Sequence, residues 1–306
     1  MYMYSPNKKS FFLIVPTITP NYEEDALHEN FTPDFSAFEQ LLIRLDALQV
    51  SAILIVGTTG EFQKISLDYK KRLVDQAIET TQNTQNLKKI YVHISAKSSE
   101  EEKELANYVE SKKKPCIKGI VLAPLYQEIN EEKIHKRIEQ IVQLDLNTPL
   151  YLYNNPSMHK EKTSNLKATP KIQAWIKEGK IKGIKDSTKD IIQFAQWLKL
   201  AKENKAFEVF IGSNSFISEA LKSPLFKHSS GCVSGPANVN PNPALEFCKA
   251  VKENSMPLIE AKYRLMQKLV GPMREKTKKL NCDLIQIIKS QTMTHLSKDS
   301  LKRSTP

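Results

Sequence analysis

The sequence predicts an α/β fold, a (β/α)8 barrel with helices appended at its C-terminal end. Three observations carry that prediction. Eight short apolar runs recur along 306 residues: Phe11–Val15, Ala52–Val56, Ile90–Ile94, Gly119–Ala123, Pro149–Tyr153, Ile181–Ile184, Phe207–Ile211 and Gly231–Ser234. They are apolar nearly throughout rather than at alternate positions, as parallel strands covered on both faces are. Longer stretches with helical spacing separate them, and eight strand–helix units in series point to a closed barrel of the TIM type. A doubly wound open sheet is the other architecture such alternation allows. No Gly-x-Gly-x-x-Gly follows an early strand, which counts against its dinucleotide-binding form.

The elements follow in order. Phe35, Phe38, Leu41, Leu42, Leu45 and Leu48 keep helical spacing behind Thr32-Pro33, where proline suits a first helical turn. Ser66 reads as the cap of a helix running through Ala77 and Ile78. Ser99 and Glu102 stand at capping-box spacing ahead of Leu105, Tyr108 and Val109. Asn130 heads Ile134, Ile138 and Ile141, and further helical stretches cover Ile191–Ala201, Ser215–Leu221 and Pro243–Val251. Beyond them Ile259, Tyr263, Met266 and Val270 mark one helix face, which Gly271-Pro272 should end. A second pattern runs from Leu280 to about Ile288, and Ser297–Pro306 reads as a polar tail. The expected division is a barrel catalytic domain over 1–253 and a helical extension with its tail over 254–306.

Composition narrows the function classes. Apolar residues at 40% and charged residues at 26% fit a large core and not a disordered chain. The net charge of +11 invites a nucleic-acid partner. The lysines, however, are spread among acidic residues, without the aromatic-interleaved basic stripe of single-strand binders, so none is expected. A basic surface attracts anionic small molecules equally well. The four cysteines, Cys116, Cys232, Cys248 and Cys282, form no Cys-x-x-Cys, and the six histidines no His-x-x-x-His. No metal site is expected, and a reducing cytoplasmic location fits. Met1–Lys9 lacks the apolar stretch of a leader, and Phe11–Val15 is far too short to span a membrane.

Barrel enzymes work at the C-terminal ends of their strands. That mouth collects Thr58, Thr59 and Gly60 from the second strand, Pro124, Leu125 and Tyr126 from the fourth, and Tyr153-Asn154 from the fifth. The sixth gives Lys185, the seventh Gly212-Ser213 and the eighth Ser234-Gly235. Lys185, in Lys182-Gly-Ile-Lys-Asp-Ser-Thr188, is the most informative. Burying an ammonium is costly, and an amine made neutral attacks carbonyl carbon to give a Schiff base. A solvated lysine at a strand end is the plain alternative. The Thr-Thr-Gly turn offers hydroxyls and amides to an anion, and Tyr153 offers an acid–base hydroxyl beside the lysine.

Gly57-Thr-Thr-Gly-Glu61, Tyr153-Asn-x-Pro156 and Gly183-Ile-Lys185, in this order and approximate spacing, resemble the signatures of the dihydrodipicolinate synthase / N-acetylneuraminate lyase family of pyruvate-dependent class I aldolases. Gly231–Pro241 is similar to the family's last strand and following turn. The resemblance implies that Lys185 forms the Schiff base, Tyr153 moves protons and Thr58 orients that tyrosine. Thr59 and Gly60 would hold the pyruvate carboxylate, and Ser234 would help close the pocket. Tyr126 matches a tyrosine that completes the relay from a neighbouring subunit in tetrameric members. It implies no cofactor, a keto acid and an aldehyde as substrates, and a homotetramer or dimer.

Some positions depart from the family. Met158 stands where the synthases usually carry an arginine that grips the incoming semialdehyde. Leu125-Tyr126 replaces a Tyr-Tyr pair, Ser95–Ser99 replaces a glycine-rich turn, and a few extra residues separate Tyr153 from Lys185. The expected activity is condensation of pyruvate with an aldehyde, or cleavage of a 2-keto acid aldol, in the manner of the synthases. The alternatives are cleavage of N-acetylneuraminate or a 2-keto-3-deoxy sugar acid, and a catalytically silent barrel with a binding or regulatory role.

Overall fold

The structure, a computed structural model, describes residues 11–22, 31–124, 130–158 and 165–304. Eight strands form a closed parallel barrel in chain order: β1 Phe12–Pro16, β2 Ala52–Ile55, β3 Lys89–His93, β4 Ile117–Leu122, β5 Leu150–Asn154, β6 Ile181–Asp186, β7 Glu208–Ile211 and β8 Gly231–Val233. β1 closes the ring on β8, with Ile14 opposite Val233. Each predicted run is a strand within two residues of its expected ends, because burial on both faces leaves little besides apolar residues in the middle of such strands.

Helices α1 Phe35–Ala47, α2 Leu67–Gln82, α3 Ser99–Ser111, α4 Glu131–Val142, α5 Pro170–Lys177, α6 Ile191–Glu203, α7 Ile217–Lys222 and α8 Asn242–Glu253 lie between and after the strands. α5 was not among the stretches named from the sequence; Thr169 caps it and proline opens it. Ser66 and Asn130 cap α2 and α4 as expected. Two starts differ. Asp34, not Thr32-Pro33, begins α1, accepting from the Ala37 amide at 2.9 Å, and Pro33 precedes the cap. Ser98, not Ser99, caps α3, accepting from Glu101. Glu102 therefore forms no capping box with Ser99; it is buried, pairs with Arg137 of α4 and accepts from the Ala96 amide at 3.1 Å.

The appended part differs more. α9 runs unbroken from Met256 to Leu280, with Pro272 inside it. Met266, Val270 and Met273 stay buried on one stripe across the proline, so packing outweighs the hydrogen bond that proline removes. A Cβ on Gly271 would touch nothing within 4 Å, so that glycine serves no break. Leu280, 66% exposed, ends α9, and Asn281 stops it at φ 47°. α10 spans Leu284–Ser304, so the expected polar tail is helical through Ser304. Asp283 and Gln286 exchange side-chain-to-amide hydrogen bonds at its start, and Ile288, Thr292 and Leu296 are buried at four-residue spacing.

Two irregularities aim the barrel interior. β3 and β4 pair Ile90 with Ile117 and then Tyr91 with Gly119, stepping over Lys118. β5 and β6 pair Leu150 with Ile181 and then Tyr151 with Gly183, stepping over Lys182. Each extra residue shifts the alternation. Ile181 and Ile184, three apart, thus both face the outer core between barrel and helices, whereas Tyr151 and Tyr153 belong to the inner cluster with Ile14, Leu54, Val121 and Phe210. The Tyr151 ring lies between the two glycines: a Cβ would approach it to 2.5 Å at Gly119 and 2.6 Å at Gly183. Its hydroxyl donates to Glu208 at 2.6 Å, and Tyr91 meets it edge-on at 5.3 Å. Gly183→Ala should lower unfolding free energy by about 1–3 kcal/mol, since both this ring and the Glu208 carbonyl would have to move. Equilibrium urea denaturation reads the change.

Candidate active site

Pairing between β5 and β6 sets the centre of the site. Tyr153 stands opposite Lys185, and Lys185 opposite Phe210 of β7. Both side chains adjoin the apolar interior, Tyr153 within the inner cluster and Lys185 beside Ile14, Leu54, Val121 and Phe210. The Lys185 amine sits 3.7 Å from the centroid of the Tyr153 ring. Lys185 is 8% exposed and Tyr153 4%. An apolar void of about 20 Å³ lies below the amine, lined by Ile14, Leu54, Val121 and Phe210 among others. On the other side a polar cavity of about 370 Å³ opens, lined by Tyr153, Asn155, Ser187, Thr188, Lys189 and Ser213, with Pro156 and Gly212. Lys185 lines the first and Tyr153 the second.

The Tyr153 phenol is tuned by its neighbours. Burial opposes its ionisation, but the Lys185 charge and the polar groups of Ser187, Lys185 and Thr58 outweigh that, leaving it below the ordinary phenol value. Asn155 donates to its hydroxyl at 2.9 Å. Thr58 also points its hydroxyl at the Met158 sulfur, 3.7 Å away. Tyr91 and Tyr151, deeper in the barrel, go the other way: burial, then the Glu208 charge, pushes both well up. His93, at the end of β3 and fully buried, is held neutral by burial and by the nearby Lys185 and Lys70 charges. Its ring lies edge-on 6.2 Å from Tyr153.

The turn after β2 carries the next group. Val56 and Glu61 take left-handed φ of 56° and 54°, and the amides of Gly60 and Phe62 both donate to the Gly57 carbonyl. Gly60 leaves no room for a side chain, since a Cβ would stand 2.9 Å from the Thr19 hydroxyl and 3.1 Å from the Thr17 carbonyl. Its amide is thus used inside the turn, whereas the Thr58 and Thr59 amides donate to no group among the described residues. Ser234, at the end of β8, accepts from Asn214 at 2.9 Å. The Thr59 hydroxyl lies 3.7 Å from where Gly235 would carry a Cβ, so the turns after β2 and β8 meet.

The structure therefore gathers Lys185, Tyr153, Thr58, Thr59, Gly60 and Ser234 at one mouth. Tyr126 lies outside the described residues, as do His159 and Lys160 beside Met158. Sequence reasoning passed over Asn155, Ser187, His93, Asp186 and Asn214. Asp-x-Thr is a turn signature that points to Asp186: its carboxylate accepts from the Thr188 amide and hydroxyl at 2.9 and 2.7 Å. Asn154 donates to it at 3.0 Å and also holds Leu166. Burial raises the Asp186 carboxyl despite these bonds. No group of three or more His, Cys, Asp or Glu able to hold a metal occurs among the described residues, and none of their helices is long and apolar enough to cross a membrane.

A family model described as the dihydrodipicolinate synthetase family matches residues 14–293. The chain belongs to that family. Among its relatives is an uncharacterized DapA-like lyase of Pyrococcus horikoshii, 26% identical over 245 residues, which are 80% of this chain and 77% of that protein. Another is the N-acetylneuraminate lyase of Sus scrofa, 27% identical over 239 residues, 77% of this chain and 69% of that one. The dihydrodipicolinate synthase structure from Bacteroides thetaiotaomicron superposes with a TM-score of 0.70 at 24% identity, covering 87% of this chain and 82% of that chain. The shared fold is thus the barrel with extra C-terminal helices, and the family is one of lyases and aldolases.

Tyr153 should ionise below the ordinary phenol range on raising pH, while Tyr91 and Tyr151 stay protonated through it. Ultraviolet titration of tyrosinate reads this. Tyr153→Phe should remove the component below the ordinary range, and Lys185→Met should move it to higher pH by taking away the nearby charge.

Proposed function

We propose that this protein is a Schiff-base lyase acting on pyruvate or a closely related 2-keto acid. The observation that carries the reading is the buried Lys185 amine, 3.7 Å over the ring of Tyr153, which itself lines the polar cleft. The neutral amine adds to the keto carbon, and its nitrogen gives up a proton. Tyr153 supplies a proton to the departing hydroxyl, water leaves, and the iminium forms. The Tyr153 phenolate then takes a methyl proton, and the C–H electron pair moves into the enamine. The enamine carbon attacks an aldehyde carbon, and the new alkoxide takes its proton from Tyr153. Water releases the product and restores the amine; cleavage is the same path reversed.

Thr58 orients the phenol in this scheme. The carboxylate is met by the Thr58–Thr59 amides, Gly60 giving the backbone room, and by Ser234 from the facing turn. The imine itself is the electron sink. A homo-oligomer in which Tyr126 reaches the relay of a neighbouring subunit, and a cytoplasmic location, belong to the same proposal.

A second observation bears on the aldehyde. Met158 gives no charged donor, and its sulfur rests on Thr58. The described cleft wall offers amide and hydroxyl groups from Asn155, Ser187, Thr188 and Ser213, with Lys189 its one cation. That wall suits a polyhydroxylated aldehyde, so cleavage of a sugar-derived 2-keto acid is favoured over condensation with an amino-acid semialdehyde. Side-by-side assays of N-acetylneuraminate and 2-keto-3-deoxygluconate cleavage against aspartate semialdehyde condensation decide it, with the sugar acids expected to turn over faster.

Borohydride with pyruvate should fix a stable adduct on Lys185, located by peptide mass mapping. Lys185→Ala should form none. Tyr153→Phe should slow turnover by about 10²–10⁴-fold and still fold. A folded wild-type protein that takes no adduct from any 2-keto acid would mark a silent barrel.

A further inference from the structure

The last helix reaches the carboxylate pocket. Lys289 of α10 places its amine 2.6 Å from one carboxylate oxygen of Glu61, the residue that closes the Gly57–Glu61 turn. Both side chains are 17% exposed. Lys64 holds the other oxygen at 3.0 Å, and the Lys289 amine also lies 4.4 Å over the Phe31 ring. One residue earlier, Ile288 comes within 3.3 Å of the Cβ position of Gly235, on the facing turn after β8. That turn has its own tie to the helix. Asp299 pairs with Arg44 at 3.4 Å, and Arg44 donates to the Asn238 and Val239 carbonyls at 3.0 and 2.8 Å. Asn238 in turn donates to the Gly235 carbonyl at 2.8 Å. α10 thus grips both turns that flank the proposed carboxylate site.

We propose that Lys289 is a positioning residue, holding the Thr58–Gly60 turn through Glu61 in the shape that receives the pyruvate carboxylate. This rests on the imine reading for its substrate, but the restraint on the turn exists without it. Buried Ile287, Ile288, Thr292 and Leu296 already attach α10 to the barrel. The ion pair adds a directional hold on one strained residue. Glu61 sits at φ 54°, and a half-buried charge-assisted hydrogen bond fixes orientation better than apolar contact does. Burial leaves the Lys289 amine below its ordinary value, and the bond to Glu61 offsets part of that.

The test uses the full-length protein as wild type, Lys289→Met, Lys289→Arg and Glu61→Gln. Two quantities are measured: the pyruvate concentration for half-maximal borohydride trapping, and amide hydrogen exchange across residues 57–62 without ligand. Lys289→Met should raise half-saturation about tenfold while the limiting trapping rate changes less than about twofold. Exchange in that segment should quicken about tenfold, with the barrel strands unchanged. Lys289→Arg should restore both, and Glu61→Gln should resemble Lys289→Met. A lower unfolding midpoint with unaltered half-saturation would overturn the proposal, leaving the pair a fastening only. If the wild type forms no adduct the imine reading falls, and exchange alone decides: protection across 57–62 unaltered in Lys289→Met rejects the hold. Should Lys289→Met fail to fold, Glu61→Gln gives the same comparison.

Discussion

Everything at the mouth depends on the step that β5 and β6 take at Tyr151. Without the residue skipped there, the alternation would set Ile184 rather than Lys185 inside the barrel, because a shift of one turns every side chain to the other face. A second skip lies two seams away, where β4 steps over Lys118 against β3. In both places a glycine follows, and the Tyr151 ring occupies the space that the two glycines leave. One aromatic ring thus wedges between β4 and β6, and Tyr153, two residues on, is carried up opposite Lys185. The Gly-Ile-Lys run therefore joins two requirements: room for a ring, and an amine one layer above it.

A lysine so placed changes the groups around it. Its charge favours ionisation of Tyr153 and keeps His93 neutral. A neutral His93 adds no competing cation beneath the site, and a phenol below its usual value gives up and regains a proton more readily near neutral pH. The deeper tyrosines, pushed upward by burial and Glu208, stay out of proton transfer and serve packing. The chain separates two roles for one residue type by depth along the barrel axis.

The strands were legible because the physics that buries them is written into consecutive residues. Helix starts were less so. Ser98 and Ser99 are both competent caps, and only the burial of Glu102 against Arg137 shows which one serves. Pro272 is a breaker by local rules, overruled by a buried stripe that a single segment does not reveal. The helix through Ser304 was hidden because its buried face is narrow and includes a threonine. At the site, Lys185, Tyr153 and the Thr-Thr-Gly turn stood out through motif and strand position. Asn155, Ser187, Asn214 and His93 did not, since a common polar residue acquires meaning only from the neighbours that folding supplies.

The wall of the polar cleft has one more consequence. Asn155, Ser187, Thr188, Lys189 and Ser213 come from the loops after β5, β6 and β7, whereas Thr58, Thr59 and Ser234 come from those after β2 and β8. Tyr153 and Lys185 stand near the ends of β5 and β6, on the first arc, and Thr58 of the second reaches the Tyr153 phenol. Exchanging side chains along one arc leaves the backbone of the other in place, because each loop returns to its own helix. Carbon acceptors of different size or polarity are then reachable by small steps on one side of the ring, and a single barrel becomes a stock from which many specificities can be drawn.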